Sequence, residues 1–192
     1  MIHDDMTQNE EKMAEMTMEK VKETIRDVPD FPKPGIMFRD ITPVLENGST
    51  FSYVLDHFEA YCRMKNPTCI VGIEARGFIL GAPIADRMNV GFIPVRKPGK
   101  LPWATESESY ELEYGSGSVE IHKDVLDSTD RVVIVDDLIA TGGTALATCR
   151  LVEKLGARVE GLVALVDLAF IPWKDKLERY EVKTFVTYDS EE

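Results

Sequence analysis

Residues 132–144 read VVIVDDLIATGGT and combine three structural signals. The first four residues are apolar and β-branched, which is typical of a strand buried on both faces of a parallel sheet. Two adjacent acids, two more apolar residues and a loop of threonines and glycines follow, and the apolar-periodic segment after them predicts a helix. This strand, loop and helix favour an α/β fold with a mainly parallel central sheet flanked by helices.

The loop of this unit suits a phosphate monoester. Its glycines let the backbone approach a ligand closely, its threonines supply hydroxyl groups, and N–H groups at the start of a helix form an anion site. The loop residues are Ala140, Thr141, Gly142, Gly143 and Thr144. Asp136 and Asp137 precede the loop, and their carboxylates can accept hydrogen bonds from vicinal sugar hydroxyls. The stretch predicts a ribose 5-phosphate site; the alternative is a buried strand and an N-capped helix with solvated acids.

The composition indicates a single globular domain over residues 1–192. Of the 192 residues, 44% are hydrophobic and 29% are charged, which is enough for a full core. The formal net charge of -12 argues against nucleic acid or an anionic membrane as the main partner, because both bind clustered lysines and arginines. A phosphorylated substrate is also an anion, so local cations and a metal ion must offset the repulsion. Magnesium is the metal that we expect.

The cysteines and the N-terminal sequence indicate a cytoplasmic protein. Cys62, Cys69 and Cys149 are scattered among apolar neighbours without metal-ligand spacing, so we expect buried free thiols, as in a reducing compartment. No apolar run approaches the roughly 18 residues of a membrane helix. The first residues are acidic and do not resemble an export signal.

Apolar spacing predicts the other elements. Residues 1–10 are polar, and we expect them to be disordered; from Ala14 to Val28 apolar residues recur at helical spacing, and Pro29 follows. We expect further helices at residues 51–62, 77–88, 144–155 and 171–179. Strands are expected at residues 69–73, 90–95, 131–135, 159–166 and 182–188. Gly156 is a natural helix C-cap, and the acidic residues 189–192 should form a solvated tail.

Two charged turns follow predicted strands. Parallel sheets bind ligands beyond the carboxyl ends of their strands, so the turn at residues 74–77 should face the same cleft as the two acids. Arg76 is a candidate for bidentate binding of a pyrophosphate, unless it pairs with Glu74 on the surface. The next turn carries three more candidates for pyrophosphate binding, which otherwise form a solvated basic loop: Arg96, Lys97 and Lys100.

A segment rich in Ser, Glu, Tyr and Gly occupies residues 103–119 and predicts a mobile lid or a two-stranded arm. Such a lid would keep water from a sugar cation forming at C1 of the ribose. From the pattern alone, Glu111 and Glu113 are interpreted as exposed strand residues. Phe38 is interpreted as a core residue and Arg39 as part of a surface ion pair.

Four motifs together resemble the adenine phosphoribosyltransferases, a family of type I phosphoribosyltransferases. They are PDFPKPGIMFRDITPVL, GIEARGF, SYELEYG and VVIVDDLIATGGT, and the resemblance covers nearly the whole chain from about residue 25. It implies the type I phosphoribosyltransferase fold, with a small N-terminal hood at about residues 25–45 and a flexible catalytic arm at about residues 102–119.

The resemblance also implies an activity. The enzyme would transfer the 5-phosphoribosyl group of phosphoribosyl pyrophosphate (PRPP) to adenine in purine salvage, giving AMP and pyrophosphate. Mg²⁺ would be bound mainly through the substrate, and the protein would be a homodimer.

For the base, the resemblance implies a site beneath the hood. Phe38 would stack on adenine, while the Met37 backbone and the Arg39 region would read the edge of the ring. Leu168 would close the other face of the purine, although core packing is the alternative for this residue.

The same resemblance implies roles for the arm and for the pyrophosphate loop. Glu113 would handle the purine proton with Tyr114 beside it, and Glu108 and Glu111 are competing assignments. The pyrophosphate loop would include Glu74, Ala75 and Arg76, with a non-proline cis peptide bond between Glu74 and Ala75.

The sequence leaves two alternative functions open. A related transferase could act on hypoxanthine or guanine, since base choice depends on hydrogen bonds from the hood. A PRPP-binding fold can also serve as a non-catalytic regulator of transcription. The acidity of the chain and the lack of an added DNA-binding segment oppose that reading.

Overall fold

A computed structural model of the chain describes residues 16–111 and 116–191. The helices are α1 (Met18–Thr24), α2 (Thr42–Glu46), α3 (Gly48–Lys65), α4 (Arg76–Met88) and α5 (Gly143–Lys154), and a 3-10 turn spans Lys174–Leu177. The strands are β1 (Arg26–Val28), β2 (Phe38–Asp40), β3 (Cys69–Ile73), β4 (Gly91–Val95), β5 (Thr105–Glu111), β6 (Ser116–His122), β7 (Arg131–Ile139), β8 (Arg158–Leu168) and β9 (Val182–Tyr188). The expected disorder of residues 1–10 and the roles of Glu113 and Tyr114 lie outside the described residues.

The central sheet contains five strands in the order β4-β3-β7-β8-β9. Every neighbouring pair is parallel, so the mainly parallel sheet predicted from the sequence is confirmed. β7, which carries the strand of the VVIVDDLIATGGT stretch, lies in the middle. Because the strands are parallel, all their carboxyl ends meet at one edge of the sheet.

The two faces of the sheet bury separate apolar clusters. On one face, α3 and α4 contribute Phe58 and Leu80 to a cluster that contains Val133 of β7. On the other face, α5 contributes Val152 to a cluster that contains Ile134 of β7. Adjacent residues of one strand thus point to opposite layers, as the pleat requires. Helices cover both faces, which leaves the carboxyl edge of the sheet as the place for a ligand.

The predicted N-terminal helix is shorter than expected. α1 ends at Thr24, and Val28, which the apolar spacing assigned to the helix, lies instead in β1 opposite Phe38 of β2. Val28 precedes a proline, and a residue before proline is sterically biased toward the extended conformation. The helix predicted at residues 171–179 is likewise wrong, since the structure has only the 3-10 turn Lys174–Leu177 there. Pro172 disfavours helical geometry at Ile171 before it.

The segment predicted to be a lid or an arm forms the antiparallel pair β5–β6. Its register runs from Thr105 opposite His122 to Glu111 opposite Ser116. Val119 and Ile121 of β6 are buried in the core cluster on the α5 side. The base of the arm therefore belongs to the core.

The cysteines are buried free thiols, as predicted. Burial raises the pKa of Cys62 to about 12 and that of Cys69 to about 11, and it raises the pKa of Cys149 further. None of the helices in residues 16–111 and 116–191 combines the length and the apolar composition of a membrane span.

Candidate active site

A cavity of about 440 Å³ opens at the carboxyl ends of β3 and β7. It is lined by residues of five segments that are separated in sequence: the turn after β3, Lys97 after β4, Tyr110 of β5, Val119 of β6, and the end of β7 with the loop before α5. The lining includes these predicted site residues: Glu74, Ala75, Arg76, Lys97, Asp136, Asp137, Ala140, Thr141, Gly142, Gly143 and Thr144. The structure therefore brings together the two acids, the glycine loop and the turn that carries Arg76.

The two acids of β7 have different environments. Asp137 is 5% exposed, and its Oδ2 accepts a hydrogen bond of 2.5 Å from Nε of Arg76. Asp136 Oδ1 accepts a hydrogen bond of 2.9 Å from the backbone N–H of Asp137. Burial, followed by the charge of Asp137, raises the pKa of Asp136 well above the ordinary carboxyl value. The site thus contains the carboxylate of Asp137, which is paired with Arg76, beside Asp136, whose ionisation is unfavourable.

The turn after β3 holds a second ion pair. The peptide bond between Glu74 and Ala75 is cis. The alternative in which Arg76 pairs with Glu74 is not what the structure contains, because Glu74 accepts hydrogen bonds from Nε of Arg96 at 3.2 Å and from the Lys97 N–H at 2.9 Å. Desolvation opposes the effect, but these donors lower the pKa of Glu74. Arg76 therefore pairs with Asp137 and not with Glu74.

The three cations after β4 separate into different positions. Arg96 is engaged by Glu74, and its Nη1 donates to the carbonyl oxygen of Lys100 at 3.0 Å. Lys97 lines the cavity, whereas Lys100 is exposed and lies outside the described lining. Of this cluster, only Lys97 faces the cleft directly.

The glycine loop is held between two aromatic side chains. Gly142 has a φ of 71°, and a Cβ atom there would lie 3.2 Å from Cβ of Trp173. A Cβ on Gly143, the first residue of α5, would lie 3.1 Å from Cδ2 of Tyr110. Lys176 Nζ also donates to the Thr141 carbonyl oxygen at 3.0 Å. The N–H groups of the first turn of α5 have no partners within the helix, and this geometry can bind an anion next to these residues.

Trp173 supports the loop through a buried hydrogen bond, since its Nε1 donates to Oδ1 of Asp167 at 2.7 Å. We expect Trp173→Phe to lower the free energy of unfolding by about 1–3 kcal/mol, because the buried Asp167 loses its donor. Urea denaturation measures the change. Trp103→Phe is the matched control, because Trp103 is 68% exposed and should leave the midpoint unchanged. Equal midpoints for the two variants would contradict the structural role of Trp173.

The β1–β2 pair brings Phe38 to the edge of the cleft. Cζ of Arg76 lies 5.2 Å from the centroid of the Phe38 ring, and the Phe31 ring meets Phe38 edge to face at 5.1 Å. Met37 is half-buried. Arg76 therefore lies between the aromatic ring and Asp137.

Two of the other predicted base contacts are buried. Arg39 is 2% exposed and forms an ion pair with Asp27, so its guanidinium group is not free on the surface of the cleft. Leu168, at the carboxyl end of β8, packs in the apolar cluster on the α3 and α4 side.

The acids of the arm occupy different places. Glu106 pairs with Lys154 at 2.6 Å and Glu108 with Arg150 at 3.6 Å, which ties β5 to α5. Neither Glu108 nor Glu111 belongs to the described lining of the cavity. Glu113 and Tyr114 fall in the part of the chain that is not described.

Sequence reasoning missed Tyr110, Lys176 and Trp173 at the glycine loop. Tyr110 stands four residues before Tyr114 in the SYELEYG motif, and this was the only local signal. Lys176 and Trp173 lie after β8 and reach the loop only through the folded sheet.

Comparison with known proteins gives consistent matches. The phosphoribosyl transferase domain family matches residues 44–192. An adenine phosphoribosyltransferase of Desulfitobacterium hafniense (strain Y51) is 52% identical over 164 residues, which are 85% of this chain and 95% of that protein.

Solved structures agree. The crystal structure of adenine phosphoribosyltransferase from Thermoanaerobacter pseudethanolicus superposes with a TM-score of 0.87 at 49% identity, covering 90% of this chain and 100% of the other. The enzyme from Saccharomyces cerevisiae, complexed with an imino-altritol bisphosphate and adenine, superposes with a TM-score of 0.83 at 38% identity, covering 88% and 97%.

Proposed function

Because the chain belongs to the phosphoribosyltransferase family, and within it to the adenine phosphoribosyltransferases, we propose that its cleft makes AMP and pyrophosphate from adenine and PRPP, as a purine salvage enzyme. One observation carries the assignment of the site: a single cavity joins an anion-binding loop, two carboxylates and Arg76. These groups match the phosphate, ribose and pyrophosphate of PRPP in the order in which that molecule presents them.

The loop at residues 140–144 binds the 5-phosphate through backbone N–H groups at the start of α5 and through the threonine hydroxyls. Asp136 and Asp137 accept hydrogen bonds from the ribose hydroxyls. Arg76 and Lys97 hold the pyrophosphate together with the Glu74–Ala75 turn, and Arg96 and Lys100 act from the outer side. Arg76 is already placed beside Asp137, so it can bind the leaving group without a large movement.

The reaction breaks the bond between C1 of the ribose and the pyrophosphate oxygen, and the electron pair leaves with pyrophosphate. Positive charge develops on C1 and the ring oxygen, and the nearby carboxylates stabilise it. A ring nitrogen of adenine then forms the new bond to C1 and loses its proton, which Glu113 accepts with Tyr114 beside it. Holding both substrates in line contributes much of the rate.

Adenine binds beneath the β1–β2 hairpin. Its ring stacks on Phe38, whose position at the edge of the cleft supports this role. The backbone at Met37 and Arg39 reads the edge of the base, since the guanidinium group of Arg39 is engaged elsewhere. Leu168 closes the other face from the end of β8.

Magnesium accompanies the substrate. Among the described residues, no group of three or more His, Cys, Asp or Glu side chains is arranged as a metal cage. The carboxylates of the cleft are nevertheless oxygen donors, which Mg²⁺ prefers, and the ion commonly binds through substrate phosphates while retaining water. Arg76 and Lys97 would orient the leaving pyrophosphate, and a bound Mg²⁺ would supply neutralisation of its charge.

The functional form is a cytoplasmic homodimer. The dimer is what the resemblance to the adenine phosphoribosyltransferases implies. The free thiols favour a reducing compartment. Sedimentation equilibrium tests the dimer, and a monomeric mass at micromolar concentration would exclude it.

The activity is tested by incubating the purified protein with PRPP and Mg²⁺ and offering adenine, hypoxanthine, guanine and orotate separately. Nucleotide formation from adenine alone is the expected result. A product with hypoxanthine or guanine instead would assign a different base. If no base gives a product although PRPP binds, the enzyme assignment is refuted and a PRPP-sensing regulator is favoured.

We expect Glu113→Ala to lower kcat about a hundredfold, because adenine must then lose its proton to water. The KM for PRPP should change little, since Glu113 acts on the base and not on the phosphates. Steady-state kinetics with each substrate varied in turn measures both effects. Glu111→Ala is the matched control and should retain activity. An equal loss in turnover and in PRPP affinity would remove Glu113 from this role.

A further inference from the structure

Arg39 lies on the face of β2 opposite to Phe38, because successive residues of a strand point to opposite sides. It is 2% exposed, which is unusual for a charged side chain and requires compensating partners. The proposed reaction makes no use of this buried guanidinium group.

The partners of Arg39 come from two places in the chain. One is Asp27 of β1, which forms an ion pair with it. The others lie at the C-terminal end: Cζ of Arg39 is 4.1 Å from the centroid of the Tyr188 ring, and Nη2 donates to the carbonyl oxygen of Glu191 at 2.8 Å. The hairpin is thus anchored to the end of β9.

A second cation reinforces the anchor from α1. Nζ of Lys22 lies 4.7 Å from the centroid of the Tyr188 ring and donates to the carbonyl oxygen of Thr187 at 2.6 Å. Tyr188 itself is 9% exposed, so its ring is held in the core between α1 and the hairpin. Cation–ring contacts are strengthened when the cation is desolvated, as Arg39 is.

The opposite face of the same strand meets the cleft. Phe38 lies over Arg76, and Arg76 is bonded to Asp137. Moving the hairpin away from β9 would break the contacts of Arg39 with the Tyr188 ring and the Glu191 carbonyl oxygen, whereas Asp27 of β1 would move with the hairpin. Losing both contacts is unfavourable. The docked position of the hairpin is therefore favoured over others, and it sets where the Phe38 side chain meets Arg76.

We propose that Arg39 and Tyr188 are positioning residues for the base, so that the C-terminal end of the chain sets the affinity for adenine through the orientation of Phe38. This inference rests on the proposed stacking of adenine on Phe38. In this proposal the side chain of Arg39 does not contact the base but holds the hairpin against Tyr188.

The test uses the full-length enzyme and compares the KM values of the two substrates. Tyr188→Leu removes the ring beneath Arg39, and we expect it to raise the KM for adenine about tenfold while the KM for PRPP changes less than twofold. Tyr188→Phe keeps the ring and should restore the wild-type KM. Asp27→Asn should act in the same direction as Tyr188→Leu, since it removes the charge that pairs with Arg39 while keeping a side-chain oxygen at a position that is 53% exposed.

Tyr61→Leu is the matched control for stability. Tyr61 is a buried tyrosine of the same apolar cluster, with its hydroxyl oxygen 3.4 Å from the Glu181 carbonyl oxygen before β9, at the opposite end of the sheet. It should lower the melting temperature and leave the KM for adenine unchanged. Equal changes in both KM values for Tyr188→Leu and Asp27→Asn, or a fall in melting temperature alone, would overturn the inference.

The Phe38→Ala variant tests the stacking of adenine on Phe38 separately from the anchoring role of Arg39 and Tyr188. If Phe38→Ala raises the KM for adenine while Tyr188→Leu and Asp27→Asn do not, the anchor is refuted and the base site stands. If Phe38→Ala also leaves that KM unchanged, the stacking site and the anchor are both refuted.

Discussion

Gly77→Ala should lower kcat/KM about a hundredfold or more and reduce the free energy of unfolding by about 1–3 kcal/mol. Gly77 is the second residue of α4, and a Cβ atom there would lie 2.6 Å from the carbonyl oxygen of Val135 and 3.2 Å from Cα of Asp136. Both are backbone atoms of the central strand and cannot rotate away. The first turn of α4 must therefore move, and it carries Arg76 with it.

Gly48→Ala is the control for this experiment. Gly48 is the first residue of α3, and a Cβ atom there would have no neighbour within 4 Å. We expect wild-type kinetics and an unchanged or slightly higher stability, since alanine favours the helix. Chemical denaturation and steady-state kinetics measure both variants. A Gly77→Ala enzyme within tenfold of wild type would show that the close approach of α4 to β7 does not position the site.

Asp136→Asn should lower kcat about 100–1000-fold and, at neutral pH, make the protein more stable. The loss of activity follows from the proposed role of Asp136 at the ribose, because Asn cannot become negatively charged beside C1, where positive charge develops. The gain in stability follows because burial and the neighbouring Asp137 make ionisation of Asp136 unfavourable. Asp124→Asn is the control on an exposed residue and should change neither quantity.

The pH dependence of the unfolding free energy tests independently whether Asp136 destabilises the folded protein. An unfolded aspartate has a pKa of about 3.9, and the folded pKa of Asp136 is higher. Between these two values the folded state keeps a proton that the unfolded state has lost, so the stability of the wild type falls as pH rises. The difference in the free energy of unfolding between Asp136→Asn and the wild type should be small below about pH 4 and should increase above it. Urea midpoints measured without substrate or metal across this range test it, and an advantage that shrinks with rising pH would contradict the assignment.

The sequence predicted the central unit well because its signals are local. β7, the glycine loop and α5 follow directly from apolar spacing and from glycine geometry over residues 132–155. The rule that parallel strands bind ligands at their carboxyl ends then brought the turn at Arg76 to the same cleft. One error occurred at Val28, where a proline follows, since apolar spacing takes no account of the backbone before proline. The helix predicted at residues 171–179 was also wrong, since only the 3-10 turn Lys174–Leu177 forms there.

The partners within the site were not predictable, because they depend on tertiary contacts. Arg76 bonds Asp137, which is 61 residues away, and not the neighbouring Glu74. Tyr110 reaches Gly143 because β5 lies along α5, which Lys154 and Glu106 hold together. Arg39 was expected on the surface and is buried, because its partners come from β1, from β9 and from Glu191 after β9. No spacing within one segment indicates such an arrangement.

The buried thiols have a practical consequence for spectroscopy. Dyes of the maleimide type react with the thiolate form of cysteine, and burial raises the pKa of Cys62, Cys69 and Cys149 far above neutrality. The native chain should remain unlabelled at neutral pH without any cysteine being removed. A single Trp103→Cys substitution, at an exposed position beside the arm, therefore provides one site for a fluorophore in an otherwise unmodified enzyme.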